Sequence, residues 1–222
     1  MIKAVIFDMY ETLVTHYECP LYFSADMAQD VGISTERFRE LWRPTDHART
    51  VGEMTLEQAI EDILKETGRY RPELLDLIVS KRKATKVEVF RHLNPEIIPM
   101  LERLKAKGIR IGLISNCFGE EVTAIRNSEL FPYFDVPCMS YELGMKKPDH
   151  RIFHYCTDRL SVKPEECLYV GDGGSDELET ATELGMKAVQ ALWYMKEGTS
   201  SPVHRKDGFL QAECPLEILA LV

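Results

Sequence analysis

Apolar positions along this chain follow two rhythms. One is the short unbroken run. It appears in Ile2, Ala4, Val5, Ile6 and Phe7, from Arg110 to Ile114, from Val136 to Ser140, from Leu168 to Val170 and from Lys187 to Leu192. Runs of this length, bounded by turn residues, predict strands covered on both faces, as inside a parallel sheet. The other rhythm is helical, with apolar residues three and four apart. In LEQAIEDILKETG, Ala59, Ile60, Ile63 and Leu64 form one stripe, Thr55 stands where an N-cap is needed and Gly68 closes the helix.

The two rhythms are not evenly mixed. From about Pro20 to about Val87 only helical signals occur. Leu21, Ala25 and Met27 lead to a stop at Gly32. Ser34 caps a helix through Phe38, Leu41 and Trp42 that Pro44 ends, and Pro72 opens another through Leu74, Leu75, Leu77 and Ile78. Beyond this block, strands and helices alternate. A helix begins at Asn94-Pro95 and stops at Gly108. Others run from Val122 to Leu130, from about His150 to Leu160 and from about Asp176 to Leu184, and a last short one starts at Pro215. Alternation of this kind predicts an α/β fold with a doubly wound parallel sheet. The expected division is a core over residues 1–14 and 88–222 and an inserted all-helical subdomain over 15–87.

Composition narrows the classes without choosing among them. The 222 residues, 45% hydrophobic and 28% charged, suit a globular domain with a smaller insert. A formal net charge of −9 argues against general binding to nucleic acid or to an anionic membrane. No run approaches the ~20 apolar residues that span a bilayer, and the chain enters its first strand with no signal peptide ahead of it, so a cytoplasmic location is expected. Cys19, Cys117, Cys138, Cys156, Cys167 and Cys214 show no metal-type pairing and read as small apolar residues in a reducing compartment. Cys117 stands next to a polar motif and reads equally as filler or as part of a site.

Three predicted strands end in polar residues: the first at Asp8, the second at Ser115-Asn116, another at Asp172. In a parallel sheet such ends open on one edge, where ligands bind, so residues distant in sequence can meet there. Lys147, in a loop of its own, can reach the same edge. Asp8 can attack an electrophile such as a phosphoryl group to form an aspartyl intermediate. Ser115 and Asn116 offer a hydroxyl, an amide and backbone N–H groups to an anionic oxygen. Lys147 can hold Asp8 and neutralise the transferring group. Asp8, Asp172 and Asp176 would crowd carboxylates beside a phosphate, which calls for a hard cation with oxygen ligands, Mg²⁺ foremost.

In order, FDMYETL, LISN, GMKKPDHRIF and YVGDGGSDELETATELGM resemble the sequence motifs of the haloacid dehalogenase superfamily of hydrolases. The resemblance covers the chain outside the helical insert, which stands where the family's first type of helical cap lies. It implies a Rossmann-like core, Asp8 as nucleophile, Ser115 as phosphate-binding hydroxyl and Lys147, next to Pro148, as the motif lysine. It implies a Mg²⁺ site made of Asp8, the backbone carbonyl of Tyr10, Asp172 and Asp176. Asn116 and Thr12 join Ser115 as substrate-binding positions, and a small phosphate monoester is the implied partner.

One position departs from the pattern. Phosphatases of this family carry a second aspartate two residues after the nucleophile, as acid and base; here it is Tyr10. A phenol with an ordinary pKa near ~10 is a poor base at neutral pH. Tyr at this place resembles the family's 2-haloacid dehalogenases, whose halide leaves without a proton, yet Asp172 in GDGGSD is phosphatase-like. The sequence therefore supports a Mg²⁺-dependent phosphatase first, with a dehalogenase, or a binding protein with little turnover, as alternatives. In the insert, Arg43, His47 and Arg49 either meet an anionic substrate or are exposed helix-end charges. Trp42 reads as packing and His154 as structural.

Overall fold

A computed structural model describes residues 1–195 and 204–222. Its strands are β1 (Ala4–Phe7), β2 (Arg110–Ser115), β3 (Val136–Met139), β4 (Cys167–Gly171), β5 (Lys187–Ala191) and β6 (Leu210–Ala212). They form one parallel sheet in the order β3-β2-β1-β4-β5-β6. β1 lies between β2 and β4, with Val5 opposite both Ile111 and Leu168. The chain order reverses on either side of β1, so the crevice beyond its C-terminal end is the switch point at which such sheets bind ligands.

The run that predicts β1 is apolar because both sides of the strand are covered. Val5 and Phe7 face one core together with Ile97, Met100, Leu101 and Leu104; Ala4 and Ile6 face the other with Ile152, Phe153, Leu178 and Ala181. Every residue of β1 is fully buried. At about 1.5–3 kcal/mol for each large apolar side chain removed from water, this burial anchors the strand firmly at the centre of the sheet.

The helices, in chain order, are α1 (Ser24–Val31), α2 (Thr35–Trp42), α3 (Asp46–Thr50), α4 (Leu56–Glu66), α5 (Pro72–Glu88), α6 (Ile97–Ala106), α7 (Gly119–Arg126), α8 (Ser140–Leu143), α9 (His150–Leu160) and α10 (Glu177–Glu183). Local chemistry explains the boundaries of the first group. Gly32 adopts φ +78° after α1, and the Ser34 hydroxyl accepts from the Arg37 N–H at 3.2 Å. Thr55 and Gln58 form a reciprocal capping box at the start of α4. Helices α1, α2, α4 and α5 close on a cluster of their own that includes Met27, Phe38, Ile60, Leu64 and Ile78. After them, Val89 and Phe90 belong to the cluster of the sheet.

Several elements differ from the sequence expectation. The helix through Phe38 does end just before Pro44, at Trp42, but the chain then continues through a 3-10 turn, Arg43–Thr45, into α3, because a proline near a helix start gives up no needed N–H. The helix expected over Val122–Leu130 starts at Gly119 and stops at Arg126. β6 has no counterpart in the hydrophobic pattern, since it is three residues long and only Ala212 is buried.

Candidate active site

The C-terminal ends of β1, β2 and β4 deliver Asp8, Ser115 and Asp172 to one edge. Asp8 follows β1 directly, and its N–H donates to the carbonyl of Val170 at 2.9 Å, which holds it in register with β4. Lys147 arrives from the loop between α8 and α9. Two bonds with one side chain fix that loop: the Lys147 N–H donates to Asn116 Oδ1 at 2.8 Å, and Asn116 Nδ2 donates to the Lys147 carbonyl at 3.0 Å. Asn116 thus positions the lysine as well as facing the cavity described below. Lys147 Nζ lies 2.5 Å from Asp8 Oδ1 and 2.5 Å from Glu177 Oε2, all three side chains being buried.

Glu177, not Asp176, is the acid that joins Asp8 and Asp172. Carboxylate oxygens of Asp8, Asp172 and Glu177 all lie within 4.8 Å of one another. Asp176 is exposed. The reason is backbone geometry. Ser175 and Asp176 both take left-handed conformations, φ +53° and +50°, within the turn Gly174–Asp176. Reading that segment as the first turn of a regular helix makes Asp176 the inward residue, whereas the left-handed pair delays the helix and turns the next acid inward. Glu177 is then tied by Tyr169 Oη (2.8 Å) and by the Gly173 N–H (3.0 Å). Gly171 makes room for it: a Cβ there would collide with Glu177 Oε1. Gly171→Ala is therefore expected to displace Glu177 and to lower the melting temperature by several degrees, read by calorimetry; an unchanged melting curve would contradict this packing.

Burial drives the Asp8 carboxyl up to about 7, Lys147 opposing and Glu177 adding to the rise. Burial followed by the charges of Glu177 and Asp8 takes Asp172 up to about 8. Burial works against the Lys147 charge, but Asp8 and Glu177 outweigh it and hold the ammonium protonated. Three close carboxylates against one ammonium leave an excess of negative charge, and an all-oxygen set of this kind fits a hard divalent cation.

Three predicted residues carry buried hydroxyls without a hydrogen-bond partner: Ser115 Oγ, Thr12 Oγ1 and Tyr10 Oη. Ser115 ends β2 beside the reactive edge, so its unfilled hydroxyl suits an incoming anionic oxygen. Thr12 sits in the turn after β1, where its carbonyl accepts from Trp193 Nε1 at 2.7 Å, and it is fully buried. Tyr10 faces the cavity. Burial, followed by Glu121, pushes its phenol well above the usual value, so it is an even poorer base than an exposed tyrosine. Glu11, at φ +59°, turns away and accepts from the Thr15 hydroxyl at 2.5 Å and the His16 N–H at 3.0 Å. Cys117 is buried filler: its N–H donates to Ser140 Oγ at 2.9 Å, and burial drives its thiol far up.

A cavity of about 520 Å³ opens between this edge and the helices α1, α2, α3 and α5. Tyr10, Asn116 and Phe118 line it from the sheet side, and Trp42, Arg49, Arg82 and Lys86 from the helices. Arg82 pairs with Glu120 at 2.8 Å and Lys86 with Glu121 at 2.6 Å, all buried. Lys86 Nζ also lies 2.8 Å from His16 Nε2, and the His16 ring stacks on Tyr10 with centroids 4.5 Å apart. Of the candidate cations on the insert, Arg43 and His47 are exposed while Arg49 is buried; His154 is exposed as well. The sequence reading missed Glu177, His16, Arg82 and Lys86. Only the last two left a trace, as cations one turn apart on one face of α5.

A family model described as "haloacid dehalogenase-like hydrolase" matches residues 2–185. The chain is 28% identical over 207 residues to a glyceraldehyde 3-phosphate phosphatase of Methanopyrus kandleri, covering 86% of this chain and 84% of that protein. It is 28% identical over 209 residues to a phosphoglycolate phosphatase of Aquifex aeolicus, covering 90% of each. A solved 2-haloacid dehalogenase of Pseudomonas syringae superimposes with a TM-score of 0.70 at 22% identity, over 100% of this chain and 98% of that one, and shares its fold. Among the described residues no helix is long and apolar enough to cross a membrane.

Proposed function

Because the chain belongs to the haloacid dehalogenase-like hydrolases, we propose that it is a Mg²⁺-dependent phosphatase acting on a small phosphate monoester through an aspartyl-phosphate. The observation that carries this reading is the cluster of three carboxylates, Asp8 and Glu177 buried against Lys147 and Asp172 half-buried beside them, which suits phosphoryl transfer with a divalent cation. Without a bound cation the second and third carboxylates would repel any anionic substrate, so the set favours the reaction that uses a metal over dehalogenation.

In this reading Asp8 is the nucleophile. One carboxylate oxygen forms the O–P bond as the ester oxygen departs, and water then cleaves the acyl phosphate to return Asp8 and release phosphate. Lys147 keeps the Asp8 carboxylate oriented and lies where charge gathers on the phosphoryl oxygens. Ser115 Oγ, with no partner of its own, donates to one of those oxygens, and Asn116 holds the lysine loop in place. Asp8, Asp172 and Glu177, with the Tyr10 carbonyl, would hold Mg²⁺, which neutralises the anionic oxygens of substrate and site when bound. Residues 15–87 act as a cap that closes the cavity over the ester and excludes water from the bond being broken.

Hydrolysis of p-nitrophenyl phosphate and release of halide from 2-chloropropionate, each with Mg²⁺ and with EDTA, test the assignment. Phosphate release that requires the metal is expected; halide release that persists in EDTA would replace it with the dehalogenase reading, the one Tyr10 favours. With no acid beside the leaving oxygen, aryl esters should also be cleaved roughly 10²–10⁴ times faster than alkyl esters of the same size.

The raised carboxyls give the site a pH signature. Asp8 and Asp172 hold their protons to higher pH when folded than when unfolded, so without a cation the folded state loses stability as pH rises from about 4 toward 8. Mg²⁺ competes with those protons and binds more tightly at higher pH. Its addition should raise the melting temperature more at pH 8 than at pH 5, and equal shifts at both would place the metal elsewhere.

A further inference from the structure

Among the buried cations of the cavity wall, Arg49 is the least satisfied. Its side chain is only 2% exposed, and its guanidinium lies between two aromatic faces, 3.7 Å from the centroid of Trp42 and 4.2 Å from that of Phe118. One face belongs to α2; the other comes from the residue just before α7, on the sheet side. Nε donates to Thr45 Oγ1 at 2.9 Å. The nearest carboxylate, Asp46, is largely exposed and lies 3.8 Å from Nη2, too far for a hydrogen bond. Nη1 is buried and has no partner.

The neighbouring cations differ. Arg82 and Lys86 are neutralised by Glu120 and Glu121 at hydrogen-bond distance. Burial pulls the Arg49 guanidinium down to about 10, which still leaves it charged at neutral pH. A buried charged donor without an acceptor is costly, and with rings packed 3.7 and 4.2 Å from the guanidinium an acceptor approaches best in its plane. A planar carboxylate suits that approach. The cavity that Arg49 lines is also lined by Tyr10, two residues after Asp8, and by Asn116, next to Ser115, so a molecule filling it comes up beside the reactive edge.

We propose that Arg49 is the subsite for a second anionic group: the substrate is a phosphate monoester whose far end carries a carboxylate, received by Arg49 Nη1 between Trp42 and Phe118. This inference rests on the phosphatase reading and goes beyond it by naming the substrate class. It also divides the two relatives' substrates, because phosphoglycolate carries that carboxylate and glyceraldehyde 3-phosphate does not.

Both compounds are primary alkyl phosphates, so they differ little as leaving groups. With Mg²⁺, the unmodified protein should show a lower KM for 2-phosphoglycolate than for glyceraldehyde 3-phosphate. In Arg49→Met the ratio of kcat/KM for the first over the second should fall roughly 10- to 100-fold, mainly through KM, as expected for a lost charge-assisted hydrogen bond. Arg49→Lys, which keeps the charge, should recover part of that ratio. A purely structural Arg49, bracing the cap against the core through its two rings, would lower both esters alike in both variants, and that result would overturn the proposal. So would a KM for glyceraldehyde 3-phosphate equal to or below that for 2-phosphoglycolate in the unmodified protein. Failure of the unmodified protein to release phosphate from these or from p-nitrophenyl phosphate would overturn the phosphatase reading itself, and the inference with it.

Discussion

Replacing Asp8 by asparagine should lower phosphate release by about 10⁴-fold or more while leaving the protein folded. An amide cannot attack phosphorus, and removal of a covalent nucleophile leaves only what positioning and electrostatics supply. The fold should tolerate the change because Lys147 keeps Glu177 at 2.5 Å, so no ammonium is stranded without an anion. The site also loses one of three crowded carboxylates, the one that burial drives up to about 7. Steady-state hydrolysis of p-nitrophenyl phosphate, with circular dichroism on the same sample, checks both halves. Activity within tenfold of the unmodified protein would remove Asp8 from the chemistry.

Glu177→Gln and Asp176→Asn should behave very differently although the residues are adjacent. The glutamine variant removes a carboxylate from the group of three and leaves Lys147 with Asp8 alone, in a place where Lys147 is 3% exposed and Glu177 fully buried. Breaking one arm of a buried ion pair costs roughly 3–5 kcal/mol, an upper bound here because Asp8 still faces the lysine. Losing a positioned charge beside the phosphoryl group costs about 10²–10³ in rate. Asp176 is exposed, and its amide should change stability by less than about 0.5 kcal/mol. Chemical denaturation and kcat/KM on the two variants separate the cases. A severe loss in Asp176→Asn with a mild one in Glu177→Gln would reinstate the acid that the sequence spacing suggested.

That pair of residues also shows where sequence reasoning loses its grip on a site. Asp8, Ser115, Asn116 and Asp172 are legible because a polar residue after a buried run marks a strand end and parallel strands share an edge, and Lys147, in a loop, is legible only through the motif it forms with Pro148. Asp176 against Glu177 turns on one residue of backbone phase, set by left-handed conformations at Ser175 and Asp176 that a non-glycine residue adopts rarely and that no pattern announces. Arg49 is another instance. On a short, strongly polar helix its spacing matches an exposed charge, and only the closure of α2 and Phe118 around it leaves its guanidinium buried with an unfilled donor.

Determined by the sequence alone were the runs that form β1 to β5, the helical insert, the parallel α/β class and the acids, hydroxyl and amide at the strand ends. These follow from periodicity and local turn chemistry, which act over a few residues. Tertiary structure alone decided which acid faces the lysine, that Asn116 clamps the Lys147 loop, that Glu11 turns away toward Thr15 and His16, and that Arg49 reaches the cavity with Nη1 unpartnered. Each of these depends on groups far apart in the chain, or on a φ value that packing imposes, and neither leaves a periodic signal.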